Sequence, residues 1–195
     1  MRSTPKTLTP APPWKDLPLG QAPEAMQLNN IKARLDLILL GLEALAGIGS
    51  EEMLQAAAEL NLESMVTDRV SLWRLRQSNP LRKSSGGRKK LDVEEARALV
   101  LIICQLAKQH HELIRRAVAL LEQMTQQNTE VHRAALLGDY LDTFSNIYQE
   151  RIDKGETTSS AQLTQLALKL LIDLLFYSSP NGPQRLWLAL LEQGS

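Results

Sequence analysis

Residues 92–127, DVEEARALVLIICQLAKQHHELIRRAVALLEQMTQQ, form the longest apolar-periodic segment of this 195-residue sequence. Asp92 opens it and Glu95 follows three residues later. This spacing is typical of a helix start, because carboxylates can accept hydrogen bonds from the free amides of the first turn. We therefore predict one long helix over about 92–127 as the centre of the fold.

The apolar residues of this segment recur at spacings of three and four, which is the period of one helix face. They are Val93, Ala96, Val100, Ile103, Ala107, Ile114, Ala117, Leu121 and Met124, and His110 takes the one polar position. At about 1.5 Å per residue such a helix would measure roughly 54 Å, whereas a compact chain of this length has a radius of gyration of about 16 Å. We therefore expect a bend or break near residues 123–128, or an end that protrudes.

The rest of the sequence also has a helical apolar period and shows no strand pattern. It predicts helices over about 24–46, after Ser50, over 62–77, from about 128 to 148, from Ser159 to about 175 and up to Leu191. In the third of these, the contacts with the core are assigned to Met65, Val66, Val70, Leu72, Trp73 and Leu75. The predicted fold class is all-α, a single-domain bundle of six to seven helices around the central helix.

Proline and basic residues mark the segments outside these helices. Six prolines fall within residues 1–23, where they remove backbone donors and oppose regular structure, so we predict a disordered tail there. The helical domain is predicted over residues 24–192. Residues 78–91 contain Gly86, Gly87 and five basic side chains, which predicts a flexible basic loop inside that domain.

Composition excludes several classes of function. The formal net charge is zero, which argues against a nucleic-acid binder that depends on overall positive charge. Cys104 is the only cysteine, so no disulfide can form within the chain, and its apolar neighbours predict a buried, reduced thiol. No run of 18 apolar residues is present, so we expect no transmembrane segment.

The distribution of charge changes sign abruptly near residue 68. The charged residues from Asp36 to Asp68 are all acidic, and those from Arg69 to Lys90 are all basic. One interpretation is that the two segments pair with each other inside the fold. The other is that the basic residues bind an external anion, an acidic protein surface, an anionic membrane or a nucleic-acid backbone.

The second interpretation gives a set of candidate partner-binding residues. Seven are basic and one is the tryptophan of an apolar C-terminal segment; they are Arg74, Arg76, Arg82, Lys83, Arg88, Lys89, Lys90 and Trp187. Trp14 of the proline-rich tail is a further candidate apolar anchor. For Trp187 the alternative is that the C-terminal helix packs against the core.

No pattern in the sequence indicates catalysis. His110 and His111 are adjacent, so they do not form the one-turn pair that a helical zinc site needs. We expect His110 to be an interior histidine and His111 to be at the surface, while His132 is too distant in sequence to judge. With no catalytic triad, dinucleotide fingerprint or metalloprotease motif, we assign no catalytic, cofactor-binding or metal-binding residue and predict that the protein is not an enzyme.

One family resemblance rests on the segment LWRLRQSNPLRK at residues 72–83, followed by the basic linker and the helix start DVEEAR at residues 92–97. This arrangement resembles an uncharacterised all-helical protein family of cyanobacteria, over roughly residues 25–190. The resemblance implies a cytoplasmic setting in a photosynthetic bacterium, with a location near thylakoid membranes as one alternative. It implies no activity and no functional residues.

Together these observations predict a non-catalytic helical interaction or regulatory module without a cofactor. Its basic loop would contact an acidic protein partner or an anionic membrane surface. The alternative is nucleic-acid binding by the same loop, which is disfavoured because no aromatic residue stands among its basic residues for base stacking. An enzyme without a recognisable motif is the least favoured reading.

Overall fold

The computed structural model describes residues 25–77, 86–127 and 160–193. These ranges contain seven helices and no strand: α1 (Ala25–Ala46), α2 (Ser50–Glu59), α3 (Arg69–Arg76), α4 (Gly86–Gln109), α5 (His111–Gln127), α6 (Ser160–Phe176) and α7 (Gly182–Gln193). The predicted all-α bundle is confirmed. The predicted tail over 1–23 and the predicted helix over about 128–148 lie outside the described residues.

Helices α1 and α4 form the centre of the bundle. They pack against each other, and each also contacts α3, α5, α6 and α7. Their apolar side chains are almost fully buried, and the uninterrupted apolar run from Ala98 to Cys104 in α4 is buried along its whole length. Because α1 is as enclosed as α4, two helices share the central position that the sequence assigned to one.

The predicted central helix is divided at His110. It begins at Gly86 instead of Asp92, and α4 ends at Gln109 before α5 begins at His111. The backbone hydrogen bonds continue through the division, since the His110 amide donates to Leu106 O at 2.8 Å. The two halves pack against different neighbours: α2, α3 and α7 lie on α4, whereas α6 is the main neighbour of α5. The bend, break or protruding end expected near 123–128 falls where the described part of α5 ends, at Gln127, and stays a prediction. The division at His110 was not expected, and it lies where the packing partners change.

The segment between α2 and α3 is not helical as predicted. Asn61 has a positive φ of 57° and the Leu62 amide donates to Ala57 O at 2.9 Å, which is the pattern that closes a helix and satisfies its last carbonyls. Helix α3 then begins only at Arg69, where Asp68 Oδ1 accepts a hydrogen bond from the Ser71 amide at 2.7 Å. The predicted helix over 62–77 is thus reduced to the eight residues 69–76.

Candidate functional site

Helix α3 has an inner and an outer face with different composition. On the inner face Leu72 and Leu75 are buried against the core. On the outer face Val70 is 56% exposed, Trp73 is 61% exposed and Arg74 is exposed. The assignment of Val70 and Trp73 to core contacts was therefore wrong. We call Val70, Trp73 and Arg74 the outer face of α3.

Arg76 belongs to the inner face and forms two ion pairs with α1. Its Nε lies 2.6 Å from Asp36 Oδ1 and its Nη1 lies 2.6 Å from Glu43 Oε1. Asp36 and Glu43 are seven residues apart, which is two helical turns, so both carboxylates lie on the same side of α1. Burial disfavours the charged guanidinium, but the two carboxylates outweigh it and raise the pKa of Arg76. Only 12% of the Arg76 side chain is exposed, so its assignment as a partner-binding residue is corrected: it holds α3 on α1.

A second buried ion pair connects α1 with α4. Lys32 is 2% exposed, and its Nζ lies 2.6 Å from Glu95 Oε2. Because α4 begins at Gly86, neither Asp92 nor Glu95 stands at the helix start as predicted. The sequence offered no local signal for this contact, since the two residues are 63 positions apart.

A cleft of about 290 Å³ opens between α3 and α4. It is lined by Ser64, Met65, Ser71, Arg74, Leu75 and Glu95. The Glu95 carboxylate on its wall is already paired with Lys32, whereas Arg74 makes no ion pair with any described residue. The cleft is therefore lined by a cation, Arg74, that makes no ion pair with a described residue and follows the exposed Trp73 in the sequence.

The remaining basic candidates follow α3 in the sequence. Residues 86–91 of the predicted flexible loop are helical, so Arg88, Lys89 and Lys90 stand in the first turns of α4 and not in a loop. Position 88 is seven residues before Glu95, which places it two turns away on the same face of α4 as the cleft wall. Arg82 and Lys83 lie outside the described residues.

Trp187 is not available to a partner. Its side chain is 0% exposed, and it lies in α7 between Leu186 and Leu190, which are also buried. The partner-binding assignment of Trp187 is therefore wrong, and the alternative, a C-terminal helix that packs against the core, is the correct one. The apolar residues of α7 fill the space against α4, and this role accounts for the high apolar content of the segment.

A second, wider groove of about 400 Å³ lies between α6 and α7. It is lined by Asp173 and Phe176 of α6, by Tyr177 directly after that helix, and by Arg185, Leu188, Ala189 and Glu192 of α7. Burial raises the pKa of Asp173, against the smaller effect of Lys169. The pKa of Tyr177 is also raised, by burial first and then by the neighbouring Asp173 and Cys104. Nothing in the sequence pattern pointed to this groove, because its residues come from two helices.

The side chains with potential for metal binding or nucleophilic chemistry are dispersed. Cys104 is buried and free, as predicted, and burial raises its pKa to about 12, so it is a neutral thiol at physiological pH. His110 is half-buried and His111 is exposed. Within residues 25–77, 86–127 and 160–193 no group of three or more His, Cys, Asp or Glu residues could hold a metal ion. His132 lies outside these ranges.

None of the described helices is long and apolar enough to cross a bilayer. The only charged residues of α6 are Lys169 and Asp173, which are one turn apart.

Comparison with known proteins gives one match. No significant match was found among curated proteins or among solved structures. A family model described as a protein of unknown function, DUF3038, matches residues 28–192. That range confirms the resemblance drawn from residues 72–97 to an uncharacterised helical family, and its description assigns no activity. Since the match covers most of the sequence, from Leu28 in α1 to Glu192 in α7, this chain belongs to the DUF3038 family.

Proposed function

We propose that this protein is a non-catalytic interaction module that binds an acidic surface of a partner protein through the outer face of α3 and the basic start of α4. The observation that carries the proposal is the 61% exposure of Trp73 directly beside the unpaired Arg74. Tryptophan and arginine are the residue types most enriched among the energetically dominant residues of protein interfaces.

Contacts at the N-terminus and on the inner face of α3 fix the backbone that carries the outer face. A helix of eight residues is too short to be stable alone, yet α3 is fixed by the Asp68 cap, by Leu72 and Leu75, and by the two ion pairs of Arg76. Trp73 and Arg74 are therefore presented on a fixed backbone. A preorganised surface loses less conformational entropy on binding, which favours affinity.

The charge around this face favours an acidic partner. Arg74 has no ion pair among the described residues, and Arg69 pairs with Glu51 where both side chains are more than two-thirds exposed. Such exposed pairs contribute little, so Arg69 can exchange Glu51 for a carboxylate of a partner. Arg88, Lys89 and Lys90 stand in the first turns of α4, the helix that also contributes Glu95 to the cleft.

A partner protein is favoured over a long polyanion because acidic residues stand close to the basic face. Glu51, Glu52 and Glu59 all lie in α2, which packs against α3 and α4. A protein surface can place its acidic groups locally opposite Arg74, whereas a nucleic acid or an anionic membrane would bring further negative charge against α2. We further propose the cytoplasmic setting that the family resemblance implies.

Affinity capture with matched variants tests this function. The variant Trp73→Ala/Arg74→Ala removes the outer face of α3, and a second variant changes Arg82, Lys83, Arg88, Lys89 and Lys90 to Gln. The control changes Arg115 and Arg116 to Gln, since these are exposed arginines of α5 with only long contacts of 3.7 Å to Glu112. We expect a partner that binds the wild type and the control but is lost from the α3 variant.

Two further measurements separate the kinds of partner. Flotation with anionic vesicles and a gel shift at low salt are expected to show no binding that depends on Trp73 or Arg74. A nucleic-acid complex that weakens steeply as salt rises would replace the proposal with the nucleic-acid alternative. A partner protein captured equally well by the α3 variant would contradict the role of α3.

A further inference from the structure

Two apolar side chains line the cleft between α3 and α4. Leu75 is 3% exposed, and Met65 is half-buried and packs against the core. The cleft measures about 290 Å³, whereas an apolar cavity of about 150 Å³ accommodates benzene. It therefore has room for one aliphatic side chain together with the charged group of a neighbouring residue, and it is too small for a helix.

The acidic residue that lines this cleft already has a counterion. Glu95 Oε2 accepts a hydrogen bond from Lys32 Nζ at 2.6 Å. Because Lys32 is 2% exposed, separating the pair would leave a buried cation unpaired, so Glu95 is not available to a cationic ligand. Two acidic residues close by in the sequence are not among the lining residues: Asp68 accepts a hydrogen bond from the Ser71 amide, and Glu63 is exposed.

Arg74 and Ser64 are the polar lining groups that lack such a partner. Within the described residues Arg74 forms no ion pair and the Ser64 hydroxyl forms no hydrogen bond, whereas the Ser71 hydroxyl donates to Asp68 O at 2.9 Å. The pKa of Asp68 is lowered mainly by hydrogen bonds from Ser71 and least by Arg74. Guanidinium and hydroxyl groups both donate hydrogen bonds, and a carboxylate accepts them in pairs from a guanidinium. The charged group that complements the cleft is therefore a carboxylate.

We propose that the partner binds the cleft through a short acidic segment in which an aliphatic side chain stands next to a carboxylate. The aliphatic side chain enters the cleft beside Met65 and Leu75. The carboxylate accepts hydrogen bonds from Arg74 and Ser64. This inference rests on the function proposed above and names the chemistry of the partner.

The connection between α3 and α4 does not have the composition of this ligand. Residues 78–85 contain Arg82 and Lys83 and no acidic residue. They cannot supply a carboxylate to Arg74, and their two cations are repelled by it. Any other segment of this chain that filled the cleft would block an added peptide, so titration of the full chain tests that alternative as well.

Peptide titration followed by NMR tests the chemistry of the site. The probe is the acetylated and amidated heptapeptide Gly-Ser-Glu-Leu-Asp-Ser-Gly, added to the full-length protein. We expect a Kd of about 1 mM, with shifts of the amide signals of Ser64, Met65 and Leu75 and none at Ala117 in α5. Replacing Leu by Ala in the peptide, or Glu and Asp by Gln and Asn, should each weaken binding by about tenfold. Absence of shifts at about ten times the expected Kd, or equal binding of the three peptides, would overturn the inference.

Charge reversal identifies the cation that binds the peptide. Arg74→Glu should weaken binding of the acidic peptide by about tenfold or more and should favour a peptide with Lys in place of Glu and Asp. Arg115→Glu is the matched control, because Arg115 is an exposed arginine of α5. It should leave both affinities unchanged. An unchanged affinity of Arg74→Glu for the acidic peptide would overturn the role of Arg74.

The variant Ser64→Phe separates the cleft from the outer face of α3. Ser64 is exposed, so a phenylalanine there fills the cleft without entering the core, and an unchanged unfolding midpoint checks that the variant is folded. We expect loss of the peptide shifts and loss of the partner captured by the wild type. A partner that binds Ser64→Phe but not Trp73→Ala/Arg74→Ala would overturn the cleft inference and leave the proposed function intact. A partner captured equally by all three proteins would contradict both.

Discussion

The two faces of α3 place the same residue type in opposite environments. Arg74 and Arg76 are two positions apart, and a helix turns about 100° per residue, so they point to nearly opposite sides. Arg76 is enclosed by Asp36 and Glu43, whereas Arg74 is exposed at the edge of a cleft. Helical periodicity thus divides the basic run in the sequence into a cation that pairs with α1 and a cation that is exposed and makes no ion pair with a described residue.

The sharpest test of this difference is replacement of each arginine by alanine. Arg76→Ala leaves the buried Asp36 carboxylate and the half-buried Glu43 carboxylate without their main cation. We expect a loss of about 3–5 kcal/mol in the free energy of unfolding, measured by denaturant titration. Arg74→Ala should change it by less than about 0.5 kcal/mol. Similar losses for both variants would contradict the division into two faces.

The neighbouring apolar residues give a second test of the two faces. Leu72 is 2% exposed, so Leu72→Ala creates a cavity and should lower the free energy of unfolding by about 2–4 kcal/mol. The change Trp73→Ala removes more atoms than Leu72→Ala. Because Trp73 is 61% exposed, however, it should lower the free energy of unfolding by less than about 1 kcal/mol. Thermal or denaturant unfolding of the two variants compares them directly. If Trp73→Ala were the more destabilising change, Trp73 would have to pack against the domain.

A third test compares buried with exposed pairing. Arg69 and Glu51 also approach to 2.7 Å, but their side chains are 69% and 79% exposed. A double-mutant cycle of Arg69→Ala and Glu51→Ala should give a coupling energy below about 1 kcal/mol that falls as salt rises. The equivalent cycle for Arg76 and Asp36 should give a larger coupling that salt changes little. Equal salt dependence would show that the Arg76 cluster is open to solvent.

The smallest expected effect concerns the cap of α3 and its pH dependence. Hydrogen bonds from Ser71 lower the pKa of Asp68 in the folded protein. The stabilisation by its carboxylate is therefore present above the unfolded pKa of Asp68 and is lost as pH falls through the lower folded value. The difference in unfolding free energy between wild type and Asp68→Ala should be constant near neutral pH and should narrow in acid. A difference that does not change with pH would show that the charge of Asp68 is irrelevant to the cap.

One residue of the candidate site, Arg76, could have been assigned correctly from the sequence alone. Arg76 stands four residues after Leu72, on the same helix face, and two acidic residues seven apart face it from α1. This spacing could have identified Arg76 as an internal cation, because i and i+4 positions share a face. The exposure of Trp73 was harder to foresee, since its size suggests burial, whereas it stands on the side of α3 that faces away from the core. No sequence pattern predicted the ion pair between Lys32 and Glu95, because this contact depends on how α1 packs against α4.

Local patterns were sufficient for the helical class, for the enclosure of the run from Ala98 to Cys104 and for the buried thiol, since apolar periodicity and the burial of nonpolar surface act along each helix separately. The division at His110, the burial of Trp187 and the sorting of Arg74 from Arg76 depend on contacts between helices that are distant in sequence. Those contacts depend on how the apolar faces of different helices pack together, which is a property of the tertiary structure. The sequence therefore determines which helix faces are apolar and must be buried, and the tertiary structure determines which helices bury them.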